Sequence, residues 1–295
     1  MIEASRDCGY RTTVIGAVNN FTQSVELLDE WYKKYHKKEN LINFELGFHA
    51  EYTTKKEILE GIADLAEKYK APVYTHNSES ESEVAQCIER TKVTPTVYMD
   101  RLGIFNYGGG FYHCVHMTQN DLDIVKEHNI SVITNPASNL KLASGIAPID
   151  HMLKEGINLA IGTDGPASNN CLDMFREMFL VTALAKYREN DASAVDALEV
   201  LKMATIGGAK AMNLTDCDVL AEGKEADIIM IDLNQPNMQP IHNIQKNLVY
   251  SGSKQNVKLT MVAGKILYEN GEFFIGTDAY KIYEKANDIA ERIVK

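Results

Sequence analysis

Residues 72–79 read PVYTHNSE, a short apolar run that ends in a histidine and then turns polar, and a stretch with helical spacing follows. The same pattern recurs from residue 10 to about 165. Strands that alternate with helices indicate a parallel sheet. The predicted strands are RTTVIGAV (11–18), INFELGFHA (42–50), PVYTHNSE (72–79), FYHCVHM (111–117), ISVITNPASN (130–139) and LAIGTDG (159–165).

Helices are predicted between these strands, because apolar residues recur three and four positions apart. The candidates are SVELLDEWYKKYHK (24–37), TKKEILEGIADLAEKYK (54–70), TQNDLDIVKEH (118–128) and APIDHMLKEG (147–156). Thr54 and Thr118 are the predicted N-caps. Longer helical stretches follow at LDMFREMFLVTALAKYREN (172–190) and AVDALEVLKMATIGGAKAMNL (194–214).

The pattern changes from residue 223, where short β runs alternate with turns. These runs are GKEADIIMIDL (223–233), QKNLVYSG (245–252) and VKLTMVAGKILYENGEFF (257–274), with a hairpin turn predicted at Glu269, Asn270 and Gly271. A final amphipathic helix is predicted over 277–295. We therefore divide the chain into a barrel over 1–212, a small β domain over 213–275 and a helix over 276–295.

Polar side chains that could do chemistry lie at the predicted strand ends, namely His49, His76, His113, Asn135 and Asp164. An open doubly wound sheet binds ligands at one switch point, whereas a closed barrel collects chemistry from many strand ends. The pattern thus favours an α/β fold of the (β/α)8 TIM type, incomplete and holding strands 3 to 8. Its open edges predict marginal stability and aggregation.

Composition excludes several classes of partner. With 30 basic and 41 acidic residues, the net charge of −11 argues against binding nucleic acid or an anionic membrane. No apolar run approaches the roughly 20 residues that span a bilayer. The five cysteines include no CxxC pair, and the first residues lack the apolar core of a secretion signal. We expect a cytoplasmic protein.

Three histidines at successive strand ends, His49, His76 and His113, point into one space, and Asp164 adds a carboxylate there. Imidazole and carboxylate together suit zinc or a similar divalent ion. Glu79 lies three residues after His76, placed to carry a proton. Hydrolytic deamination needs a metal, a base and an acid. The remaining histidines are interpreted as structural or solvated, with His116 left open between a structural and an outer hydrogen-bonding role.

The chain resembles the amidohydrolase superfamily, in particular its 5-methylthioadenosine/S-adenosylhomocysteine deaminases. The segments that carry the resemblance are GFHAEYTT (47–54), THNSE (75–79), FYHCVHM (111–117), ISVITNPASNLKLASGIAPI (130–149), IGTDGPASNNCLDMFREM (161–178), MATIGGAKAMNL (203–214), GKEADIIMIDL (223–233) and VAGKILYENGE (262–272). The resemblance implies that residues 213–275 form part of a β-sandwich. It also implies one divalent metal ion, zinc with iron or manganese as alternatives, and an adenine nucleoside as substrate.

The resemblance also implies residue roles. His76 and Asp164 ligate the metal, Asp164 acts as general base, and Glu79 passes the proton to the ring nitrogen. His113 contacts the attacking water, and His49 contacts the sugar. The implied substrate contacts are His49, Glu79, Asp164 and Asn139, and Ser138 shapes the pocket.

Two departures from the family pattern matter. No His-x-His occurs in the chain, although family members use that motif for two metal ligands. We therefore expect this polypeptide to be inactive alone, as a truncated gene, an expression or proteolytic product, or half of a split enzyme, in that order. Residues 16–24 also lack the arginines that hold the carboxylate of S-adenosylhomocysteine, which favours a neutral substrate.

Several alternatives stay open. One is another amidohydrolase, similar to guanine deaminase or a triazine chlorohydrolase. Another is a degenerate fold that kept its architecture and lost its chemistry. The expected partners are the nucleoside and water, with a second copy of the chain or a complementing N-terminal fragment. A doubly wound binding protein is disfavoured by the many polar strand ends.

Overall fold

The structure, a computed structural model, describes residues 1–294. Its helices are α1 Ile2–Cys8, α2 Val25–Tyr35, α3 Lys56–Tyr69, α4 Glu81–Thr91, α5 Pro95–Arg101, α6 Gln119–Glu127, α7 Pro136–Lys141, α8 Ile149–Lys154, α9 Pro166–Asn169, α10 Met174–Glu189, α11 Ala197–Lys202, α12 Gly208–Ala211, α13 Ile244–Tyr250 and α14 Ala279–Val294. Its strands are β1 Thr12–Ile15, β2 Ile42–Ala50, β3 Val73–Asn77, β4 Gly109–His113, β5 Ile130–Thr134, β6 Leu159–Ile161, β7 Ile228–Ile231, β8 Val257–Val262, β9 Lys265–Glu269 and β10 Glu272–Phe273.

Within the described residues, β1 to β6 form one parallel sheet in sequence order, curled into a half-barrel. The outer strands β1 and β6 pair with no further strand in residues 1–294. The predicted α/β class and incomplete TIM-type barrel are thus confirmed. The register places Ala50 beside His76 and Asn77 beside His113, so the polar residues at the carboxyl ends lie at one level.

The core lies between the sheet and its helices. Phe44, Leu46 and Phe48 alternate along β2 and are at most 2% exposed. They join Leu28 of α2 and Leu59 of α3 in one hydrophobic cluster. Burying one such side chain contributes about 1.5–3 kcal/mol, so this packing holds the strand ends in place.

A second, antiparallel sheet has the order β10-β9-β8-β7. The predicted hairpin turn is confirmed, because Asn270 and Gly271 both have positive φ between paired residues Glu269 and Glu272. Arg11, just before β1, donates to Asp227 at 2.6 Å and so ties the half-barrel to this sheet. In the described part of the chain, no helix is long and apolar enough to cross a membrane.

Some local predictions were wrong. Segment 245–252 was predicted as β structure, but residues 244–250 form α13, whose N-cap Asn243 accepts from the Lys246 N–H. A short apolar run does not distinguish a strand from a helix. Thr54 does not cap α3, since its hydroxyl donates to the Ala50 carbonyl instead.

Other local predictions were confirmed, or extended beyond the end of the observed element. Thr118 caps α6 in a capping box with Asp121. The predicted strand 111–117 stops at His113, because His113 and Cys114 both have positive φ and turn the chain out of the sheet. The helical spacing noted after residue 79 was given no bounds, and in the structure α4 and α5 lie between residues 81 and 101.

Candidate metal centre

His76 lies near the end of β3 with its ring oriented by the neighbouring strand. Its Nδ1 is 2.9 Å from the His49 carbonyl, so Nδ1 carries the proton and Nε2 presents a lone pair. Nε2 lies 4.0 Å from Asp164 Oδ1. Burial, and then the nearby His113, lower the pKa of His76 from its ordinary value of 6.5. His76 is therefore neutral at pH 7, the form that binds a metal.

His113 is the last residue of β4 and is fully buried. Its Nδ1 donates to Asn139 Oδ1 at 2.7 Å, which leaves Nε2 as an acceptor. Among residues 1–294, nothing hydrogen-bonds to that Nε2. Buried polar atoms are normally paired, so an unpaired imidazole nitrogen that faces two carboxylates is suited to bind a metal ion. The positive φ of His113 marks a backbone held in an unusual conformation.

Asp164 follows β6 by three residues and has φ of 58°. Its Oδ2 accepts from the hydroxyls of Ser138, at 2.7 Å, and Ser168, while Oδ1 faces His76. Burial opposes ionisation, but the two hydroxyls outweigh it and the pKa of Asp164 falls below 3.8. Gly162, two residues before Asp164, leaves room for the Asn135 side chain, because a Cβ there would lie 2.4 Å from Asn135 Oδ1.

Glu79 lies in the loop after β3 and is held mainly through its backbone. Its N–H donates to Glu83 Oε2 at 2.8 Å. Its own carboxylate accepts a long hydrogen bond from Ser144 Oγ at 3.3 Å and lies 3.7 Å from His113 Nε2. The Glu79 carboxylate thus adjoins the imidazoles without a short hydrogen bond to hold it.

The ligand atoms of His76, His113 and Asp164 all lie within 4.8 Å of one another. Two ligands of a tetrahedral zinc ion, each about 2.0–2.2 Å from it, are about 3.4 Å apart. The 4.0 Å between His76 and Asp164 is close to that separation. The Nδ1–H of each imidazole also donates a hydrogen bond to an oxygen, as the second ring nitrogen of a metal-ligating histidine usually does. The donor set therefore fits a zinc-like divalent ion.

A cavity of 320 Å³ opens beside this centre. Its lining includes His49, His76, Tyr112, Asn135 and Asp164. Pockets for small ligands typically begin at about 300 Å³. The His49 and His76 ring centroids are 5.1 Å apart, so His49 lines the same cavity as a candidate metal ligand.

The structure brings together His49, His76, Glu79, His113 and Asp164, which the sequence analysis had singled out. Asn139 is 1% exposed and supports His113 from behind, so its contact with substrate stays a prediction. His116 stands apart from the centre, with Nε2 2.7 Å from the Ser144 carbonyl.

Three supporting residues were missed. Glu83 had a sequence signal, since Ser80 and Glu83 have the spacing of a capping box. Ser168 and the buried Glu177 were not singled out. Ser168 lies only four residues after its partner Asp164, whereas the contact of Glu177 with the Ala137 N–H spans 40 residues and arises only in the folded chain.

A half-barrel whose carboxyl edge brings two imidazoles, an aspartate and a glutamate together is typical of the barrel class of metal-dependent hydrolases. The model of the Amidohydrolase family matches residues 1–267, and the chain belongs to this family. The resemblance found in the sequence is thereby confirmed.

Three similar proteins carry the names of deaminases. The chain is 39% identical over 267 residues to the 5-methylthioadenosine/S-adenosylhomocysteine deaminase of Thermoanaerobacter pseudethanolicus, covering 88% of this chain and 62% of that protein. It is 36% identical over 262 residues to the 5'-deoxyadenosine deaminase of Methanopyrus kandleri, covering 89% and 61%. A Xanthomonas campestris adenosine deaminase solved with bound zinc superposes with a TM-score of 0.92 at 32% identity, covering 98% and 67%. The chain thus spans about three fifths of the length of the first two relatives.

Proposed function

We propose that this chain carries the catalytic edge of a metal-dependent deaminase that hydrolyses the exocyclic amine of an adenine nucleoside. The observation that carries the proposal is the meeting of His76, His113 and Asp164, with Glu79 beside them. The names of the similar proteins support an adenine nucleoside as the substrate class.

His76 and Asp164 would hold one divalent ion, zinc or alternatively iron or manganese. When bound, such an ion lowers the pKa of water and supplies the nucleophile at neutral pH. His113 Nε2 lies where it can serve as a third ligand or accept a hydrogen bond from the attacking water. Its unpaired nitrogen supports a direct role in either case.

The two carboxylates divide the proton transfers. Asp164 is ionised at neutral pH and accepts the proton of the attacking water. Glu79 delivers a proton to the ring nitrogen as the water oxygen bonds to the carbon that bears the amine. Asp164 then passes the proton that it took from water to the amine, the carbon–nitrogen bond breaks and ammonia leaves. The hydroxyl proton on that carbon returns to Glu79 as the ring carbonyl forms, so both carboxyl groups end as they began.

The substrate side of the centre is the cavity beside His49. His49 Nδ1 is 2.9 Å from Thr53 Oγ1, which orients the ring toward the space where a sugar would lie. The absence of arginine from residues 16–24 supports a neutral nucleoside such as 5-methylthioadenosine or adenosine over S-adenosylhomocysteine. A second copy of the chain or a complementing N-terminal fragment stays a proposed partner.

Zinc titration and ammonia release test the proposal. The chain would be loaded with zinc and assayed on adenine nucleosides, alone and with the N-terminal segment of a similar deaminase. We expect bound zinc and ammonia release with the added segment, both lost in Asp164→Asn and kept in the control His128→Ala. His128 pairs with Asp100 away from the site. A chain that binds zinc in neither arm and releases no ammonia would instead be a degenerate, non-catalytic fold.

A further inference from the structure

Glu177, in the first turn of α10, is a fully buried carboxylate outside the set of residues that adjoin the cavity. Its Oε2 accepts the backbone N–H of Ala137 at 2.9 Å. Its Oε1 accepts from Asn169 Nδ2, also at 2.9 Å. Burying a carboxylate is costly unless it is hydrogen-bonded, and here each oxygen has its own donor.

Asn169 extends this connection toward the centre. It is 4% exposed, and its Nδ2 also donates to the Thr163 carbonyl at 2.6 Å. Thr163 directly precedes Asp164, and Ala137 directly precedes Ser138. Glu177 therefore joins the first turn of α7 to the loop after β6, and the side chains of Ser138 and Asp164 from these two segments meet in a hydrogen bond.

We propose that Glu177 is a positioning residue that, through Asn169, holds Asp164 in the orientation that metal binding requires. Asp164 has a φ of 58°, in the left-handed region that aspartate enters more readily than most residues, so its orientation depends on the contacts of the loop that carries it. The Glu177–Asn169 link, defined by these two residues, holds the carbonyl of Thr163, the residue before Asp164, and so restrains the loop that carries Asp164. This inference rests on the proposed metal centre.

Glu177→Gln tests the link with little change in shape. A glutamine has one acceptor oxygen, so its amide must face either the Ala137 N–H or the Asn169 amide, and one donor loses its partner. We expect zinc affinity to fall by about 10- to 100-fold, as for other outer partners of metal ligands. The visible spectrum of bound Co²⁺ should also change, since it reports ligand geometry. Glu189→Gln, on the exposed end of the same helix, is the matched control and should leave both unchanged.

Amide hydrogen exchange of the apo chain gives a second readout that needs no metal. In Glu177→Gln, exchange over residues 162–171 should accelerate, while exchange over α6 and β4 stays unchanged. If Glu177→Gln unfolds the whole chain, Asn169→Ala replaces it, because it removes the same link at its other end. Accelerated exchange confined to 162–171 then supports the inference.

The outcomes separate the inference from the function beneath it. If the parent chain binds no zinc but exchange in 162–171 responds to Glu177→Gln, the metal centre fails and the loop constraint stands. If zinc affinity, the Co²⁺ spectrum and local exchange are all unchanged in Glu177→Gln or Asn169→Ala, the positioning role is overturned.

Discussion

Two loops at the carboxyl edge of the half-barrel each place one carboxylate at the candidate metal centre, and they hold Asp164 and Glu79 through different contacts. The loop after β6 holds the Asp164 carboxylate itself, through the hydroxyls of Ser138 and Ser168. The loop after β3 holds the backbone of Glu79, through Glu83, and leaves its carboxylate with contacts of 3.3 and 3.7 Å.

This difference matches the two chemical tasks. A metal ligand must keep one orientation, because its bond distances and angles are narrow. A proton carrier must reach first a ring nitrogen and then a departing amine, so a carboxylate with loose contacts suits it. The comparison therefore supports the proposed roles, with the firmly held Asp164 as the metal ligand and the loosely held Glu79 as the proton carrier.

Asp164→Asn should have the largest effect. The amide loses the negative charge and can no longer accept both serine hydroxyls and face a cation. We expect zinc affinity to fall by more than the roughly 10- to 100-fold seen for outer partners, and deamination to vanish with it. Equilibrium dialysis with zinc measures the first effect. Unchanged zinc affinity would show that Asp164 is not a metal ligand.

Glu79→Gln should separate the two tasks. The glutamine keeps the shape of the side chain but carries no transferable proton, so turnover should fall by about 10²- to 10⁴-fold while zinc binding persists. Ammonia release by the zinc-loaded chain with the added N-terminal segment measures the effect. Loss of zinc in this variant would show that Glu79 is also a ligand.

Ser168→Ala and Ser144→Ala form a matched pair, since one hydroxyl contacts Asp164 and the other contacts Glu79. Removing the Ser168 hydroxyl should raise the pKa of Asp164 and weaken zinc binding by about tenfold. Ser144→Ala should leave zinc affinity unchanged. Equal effects of the two substitutions would mean that the two acids are held alike.

The smallest effect concerns pH. Burial, and then His113, lower the pKa of His76 below 6.5, so the folded protein favours the neutral, metal-binding imidazole. Protons therefore compete with zinc at His76 only as pH falls through the lowered pKa. We expect zinc affinity, corrected for zinc hydrolysis, to stay nearly constant from neutral pH down to 6.5. A steep loss above pH 6.5 would show that His76 does not keep this neutral form.

Much of the centre was predictable because strand ends have a sequence signature. An apolar run that ends in His76 or His113 contradicts simple burial, and the repeat of the pattern places these residues at one edge. Predictions from short stretches of sequence were confirmed in some cases and wrong in others. The cap at Thr118 was confirmed, whereas Thr54 turned its hydroxyl to Ala50, and residues 244–250 formed a helix where a strand was predicted.

The sequence by itself determined the α/β class, the incomplete barrel and the residues that face one another across its edge, because these follow from local periodicity and chain order. Only the tertiary structure decided which oxygen of Asp164 accepts hydrogen bonds, which nitrogen of His113 is unpaired and how Glu177 joins α7 to the loop after β6. Those facts depend on contacts between segments 26 to 40 residues apart. Such contacts leave no periodic pattern in the chain, since they arise only when packing brings the segments together.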